Sequence, residues 1–169
     1  EQLQTVRPHI LHLTTHGGFD GQTGQVLMED PTGNTQLVPH DCIIQTLSRA
    51  EALRIPVFFA GQTAQVSAVS GLSDLGQRLL TEGKLGAVVA MGFSVSEGGT
   101  NAFISHLYHE AVEGIELDAA SARARRAIPD AREMGMPVLY LSDPGALQLS
   151  PEGLKTAQKR YPLALDALG

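Results

Sequence analysis

Four short, almost unbroken apolar runs constrain this chain more than any other feature: "HILHL" (9–13), "PVFFA" (56–60), "GAVVAMGF" (86–93) and "PVLYLS" (137–142). Each is rich in Val, Ile, Leu or Phe and is bounded by Gly, Pro or polar residues, as β-strands are. A strand with one wet face alternates apolar and polar residues. A strand covered on both faces has no need to. The four runs therefore predict strands enclosed between two layers.

Helical patterns lie between the runs and can supply those layers. "HDCIIQTLSRAEALR" (40–54) has Asp41 as N-cap, and "SDLGQRLLTEG" (73–83) opens on Ser73 and closes on Gly83. "GTNAFISHLYHEAVEG" (99–114) takes Thr100 or Asn101 as cap and Gly114 as stop. Its Phe103, Leu107 and Ala111 share one face. A fourth helix starts near Glu116 and is broken by Pro129. Strands alternating with helices predict an α/β fold with a mostly parallel sheet flanked by helices. "GQVLMEDPTGNTQLV" (24–38) differs: two apolar pieces flank "DPTGN", a rim hairpin. The expected organisation is one domain over 1–149 and a C-terminal surface helix over 150–169.

With 169 residues the chain can bury a full core, and 43% hydrophobic content with a net charge of -6 describes a globular chain. No apolar run approaches the ~20 residues of a membrane span. The acidic balance makes nucleic acid an unlikely partner, the one basic block being "SARARRA" (121–127) on a helix. The only cysteine, Cys42, excludes an internal disulfide and a cysteine-based zinc site, and fits a reducing, cytoplasmic setting. The opening "EQLQTVRPH" carries no signal-like segment.

Two runs end abruptly in chemistry. "ILHLTTHGGFDG" (10–21) places His16 where a strand stops and Gly17 and Gly18 follow; "PVFFAGQTAQ" (56–65) stops at Gly61. In open α/β sheets ligands bind outside the carboxyl ends of strands, so both stretches can face one crevice. Gly17 and Gly18 let a substrate backbone approach, and the Gly17 N–H can donate to an oxyanion.

"HILHLTTHGGF" resembles the histidine motif of the caspase-like cysteine peptidases, the clan of caspases, separases, gingipains and metacaspases. It is most similar to the CHAT group, often joined to tetratricopeptide repeats. "VFFAGQTA" resembles the group's second motif. "GLSDLGQRLLTEGKLGAVVAMGFSVSEGGTNAFISHLYHEAVEG" and "ARARRAI" with "MPVLYL" resemble the helix, strand and loop order that follows, so the likeness spans roughly residues 8–142. It implies a caspase-like three-layer sandwich in which further strands precede the histidine strand, so the chain reads as incomplete at its N-terminus. It implies a His–Cys dyad without metal or cofactor, a protein or peptide substrate, control by a sensor or tetratricopeptide-type domain or subunit, and an association with bacterial defence.

One departure is severe. The resemblance places the nucleophilic cysteine just before Gln62–Thr63, where this chain has Gly61. Glycine has no side chain and cannot attack a carbonyl. Two explanations stand. The position is substituted, leaving a site that binds without cutting and serves as a scaffold; or the parent sequence reads Ala-Gly-Cys-Gln-Thr, and a cysteine between Gly61 and Gln62 is missing here. For substrate binding the resemblance points to Gly18, Asp20, Gln62, Ser94 and Glu97. Asp20 or Glu97 would take an arginine or lysine before the cut, and the plainer reading makes both solvated loop acids.

The other polar residues have plain readings. His12 is a packed core histidine, Cys42 a packed small hydrophobe, His106 and His109 a surface pair without a third metal ligand, and the arginine run a solvated helix face. A flavodoxin-like domain binding an anion at "THGGFDG" is a weaker alternative, because no glycine loop leads directly into a helix.

Overall fold

A computed structural model of the chain describes residues 2–15, 17–19, 24–60, 66–91 and 95–142. A short helix α1 (Gln2–Val6) leads into β1 (Ile10–Thr15), followed by β2 (Gly17–Phe19), β3 (Gly24–Glu29) and β4 (Thr35–Pro39). Then come α2 (His40–Ser48), β5 (Ile55–Ala60), α3 (Val66–Thr81), β6 (Ala87–Met91), α4 (Glu97–Val112), α5 (Leu117–Arg126) and β7 (Pro137–Leu141). The four apolar runs form one sheet in the order β1-β5-β6-β7. β1, β5 and β6 are parallel, and β7 closes the order antiparallel to β6. Pro137 begins β7, where its missing N–H is tolerated.

Apolar residues on both pleat faces build two cores. Val57, Phe59, Val89 and Met91 face α4 and α5, meeting Phe103, Leu107, Ala120 and Ala124. Phe58, Val88 and Ala90 face the other way, toward Ile44 and Leu47 of α2 and Leu75 and Leu79 of α3. The expected sandwich, a mostly parallel sheet between helices, is the observed one. The rim hairpin is present as β3 and β4, paired from Gln25↔Pro39 to Glu29↔Thr35. Its turn is held by the Asp30 carboxylate, which accepts from the Thr32 and Asn34 N–H groups at 2.8 and 2.9 Å. Among the described residues no helix is long and apolar enough to cross a membrane.

Several expected boundaries move. α2 ends at Ser48 rather than Arg54, yet Leu47, Ala50 and Leu53 stay buried. The Ala50 N–H donates to Leu47 and the Leu53 N–H to Ala50, so tight turns continue a stripe that periodicity alone assigns to helix. Asp41 is not its cap: Pro39 holds that position without a side-chain bond. α3 begins at Val66, so Ser73 lies inside the helix. α4 begins at Glu97, and its N-cap is Ser96 rather than Thr100 or Asn101, the Ser96 Oγ accepting from the Gly99 N–H at 3.0 Å. Gly114 does end that helix, at φ 82°. Gly17 and Gly18 belong to a further strand: they pair with Val26 and Gln25 in a second, three-stranded sheet of order β2-β3-β4. Within the apolar run 86–93 a strand is described over Ala87–Met91; residues 92–94 lie outside the described ones, as does the expected helix over 150–169.

Candidate functional site

The site is built from the carboxyl ends of adjacent strands. β1 and β5 run parallel in the register Ile10↔Ile55 through Thr15↔Ala60. Their last residues are therefore paired, at the strand spacing of about 4.8 Å. His16 comes directly after Thr15 and Gly61 directly after Ala60. His16, Asp20, Gly61, Gln62 and Ser94 themselves lie outside the described residues. Gly17 and Gly18 are described as the start of β2, so Thr15 ends a strand of the main sheet and Gly17 begins one of the second sheet. Glu97 is the first residue of α4 and is exposed.

The ends of these strands are tied down by side chains that sequence reading did not single out. The buried Thr15 hydroxyl donates to the Leu27 carbonyl, joining the end of β1 to β3. At the neighbouring strand β6, Ser96 opens α4 and is gripped by Glu133 from the turn before β7. Glu133 Oε1 accepts from the Ser96 N–H at 3.1 Å and Oε2 from the Ser96 Oγ at 2.7 Å. The only local signal for this is a serine three residues before Gly99, a capping distance; Glu133 has none.

Two histidines frame the sheet. His12 is not a core residue: it is exposed, with its ring 5.1 Å from that of Phe59. Its Nδ1 shares a hydrogen bond with the Tyr108 hydroxyl at 3.1 Å, and its Nε2 with Thr14 at 3.4 Å. The side of the ring that lies against Phe59 and Tyr108 is desolvated, which lowers its pKa, and burial pushes the Tyr108 phenol up. His40 is the buried one, at 1% exposure, with Nδ1 3.4 Å from Asp74 of α3 and Nε2 without a partner among the described residues. Burial lowers its pKa against the pull of Asp74. The absence of a side chain at Gly24 makes room for it, since a Cβ there would stand 2.2 Å from the His40 ring.

The remaining candidates are dispersed. Cys42 is exposed on α2 rather than packed. His106 and His109 are exposed on α4, and His106 bonds to the Ala102 carbonyl at 2.9 Å. Among the described residues no group of three His, Cys, Asp or Glu side chains could hold a metal. In the arginine run, Arg123 pairs with Glu110 at 2.7 Å and Arg125 donates to the Pro137 carbonyl at 3.0 Å, while Ala120, Ser121 and Ala124 are buried. Arg123 and Arg126 are exposed, so the arginine face is solvated as expected, with Arg123 and Arg125 also bonded to their neighbours.

Comparison with known proteins fits the arrangement. A search among curated proteins returned no match. The family model described as the CHAT domain matches residues 1–157, nearly the whole chain and both strand-end motifs. With its sheet between two helical layers and the two motif strands in register, this chain belongs to the CHAT domain family, a caspase-like, peptidase-related group.

Proposed function

We propose that this chain is a caspase-like cysteine endopeptidase domain of CHAT type, in which His16 is the base and the thiol belongs at Gly61 or beside it. The register Thr15↔Ala60 carries the reading, because it starts both motifs one residue beyond paired positions of parallel strands. In the reaction, the His16 imidazole takes the thiol proton, the thiolate attacks the scissile carbonyl, and the imidazolium protonates the leaving amine. The Gly17 N–H and that of the nucleophile residue hold the oxyanion. The substrate is a protein or peptide. Gly18, Asp20, Gln62, Ser94 and Glu97 line its path, with no metal or cofactor in the cycle. Control by a sensor or tetratricopeptide-type domain, a cytoplasmic location and a part in bacterial defence extend the same reading from the resemblance.

Gly61 itself favours a second reading. As the sequence stands, no thiol is available at the site, and the crevice can hold a peptide without cutting it, as a binding or scaffold module. One experiment separates the two. A cysteine is inserted between Gly61 and Gln62, and in a second chain Gly61→Cys is made. In at least one of them iodoacetamide is expected to modify the new thiol about tenfold faster than Cys42 at neutral pH. Peptide hydrolysis should appear and vanish with His16→Ala. If neither thiol outpaces Cys42 and no peptide is cut, the peptidase reading fails.

A further inference from the structure

We infer that Glu133 is a positioning residue for substrate selection: from the turn before β7 it clamps the first turn of α4, and with it Glu97, at the carboxyl end of β6. This rests on the proposed function, because it concerns which side chain the same crevice accepts. Both oxygens of Glu133 are committed to Ser96, one to its N–H and one to its hydroxyl. The Ser96 Oγ in turn accepts from the Gly99 N–H at 3.0 Å, and the Ser96 carbonyl accepts from the Thr100 N–H at 2.8 Å. The carboxylate therefore sits on the N-terminus of a sixteen-residue helix, where its charge is favoured, and does so through a serine 37 positions away.

The base of the clamp is rigid. The Glu133 N–H donates to Asp130, and its carbonyl accepts from Met136, at 2.9 and 3.0 Å. The helix is shaped to receive the acid: a Cβ on Gly99 would stand 2.3 Å from Glu133 Oε2, so only glycine permits this seat. Glu97, next to Ser96, is left exposed with no part in the clamp. Its backbone is therefore held in place by Glu133 through Ser96.

The test uses the chain with cysteine inserted between Gly61 and Gln62, and two fluorogenic peptides that differ only in arginine or leucine before the cut. Glu133→Gln keeps the size but removes the charge and one acceptor. It is expected to change the ratio of kcat/KM between the peptides about tenfold through KM, the scale of one lost charge-assisted hydrogen bond. Alkylation of the new thiol should stay within twofold. Hydrogen exchange at the Ser96 and Gly99 amides should rise about tenfold. Gly99→Ala, which ordinarily favours a helix, should open the same amides and move the same ratio from the opposite side. An unchanged ratio with faster exchange reduces Glu133 to a helix cap and overturns the inference, as does unchanged exchange. If the thiol-bearing chain cuts neither peptide, the peptidase reading falls. The ratio is then read from the anisotropy of the two peptides bound to the unaltered chain, with the same two outcomes.

Discussion

The two faces of β1 make different use of one strand. Leu11, Leu13 and Thr15 point to the α2 and α3 side, where both leucines pack against the core and Thr15 is buried. Ile10, His12 and Thr14 point to the α4 and α5 side, where His12 and Thr14 are exposed. In β5 the faces are equal: Phe58 and Phe59 are each almost wholly buried, one in each core. The main sheet is thus fully covered at its centre and only half covered at β1, the strand that leads to His16. The end of β1 is tied through Thr15 and the hairpin on the α2 and α3 side, while His12 meets Tyr108 and Phe59 on the other.

The largest effects should test that symmetry at β5. Phe58→Ala and Phe59→Ala are each expected to cost about 3–5 kcal/mol in denaturant unfolding, since each leaves a cavity in a closed core. A cost for one below half that for the other would break the picture of two equal layers. Next comes the hairpin junction. Gly24→Ala drives a methyl into the His40 ring and should cost about 1–3 kcal/mol by overpacking. Combining it with His40→Ala should restore part of that loss. Strict additivity of the two would show that ring and glycine do not meet.

β1 supplies a smaller and sharper contrast. Thr15→Val takes the Thr15 donor from the Leu27 carbonyl in a part-buried place and should cost about 1–3 kcal/mol. Thr14→Val, on the exposed face of the same strand, should change stability by less than about 0.5 kcal/mol. Equal costs would mean that the wet face is covered in solution.

The histidines give the smallest effect, one of sign. Burial holds the His40 pKa below its ordinary 6.5; Arg78 acts the same way, while Asp74 and Asp41 oppose it. His12 is lowered too, by desolvation of the ring side that meets Phe59 and Tyr108. As pH falls through about 6.5 the unfolded chain takes up protons that the folded chain refuses, so stability is intact above that pH and declines below it. His40→Gln should flatten the decline measured between pH 7 and 5 more than His12→Gln, because His40 is the buried ring with a nitrogen unpartnered among the described residues. A steeper decline in His40→Gln would reverse the assignment.

Much of this was legible in the sequence. The central strands β5 and β6 follow from unbroken apolar runs, because a strand covered on both faces has no need of polar positions; β1 forms a strand as well, although its His12 and Thr14 face is exposed. The face made by Phe103, Leu107 and Ala111, the stop at Gly114 and the rim hairpin were legible for the same reason, since local periodicity and turn chemistry specify them. The placement of His16 and Gly61 after strands could be read, and so could the substitution that removes the thiol.

The sequence by itself determined the layered α/β fold, its family and the identity of its two motifs, because those rest on residue type and on neighbours within a few positions. The tertiary structure alone decided that Thr15 stands opposite Ala60, that Gly17 and Gly18 enter a second sheet, that Thr15 is tied to Leu27, and that Glu133 grips Ser96. Each of these joins residues far apart in sequence through directional hydrogen bonds, and no local pattern encodes the partner at the other end.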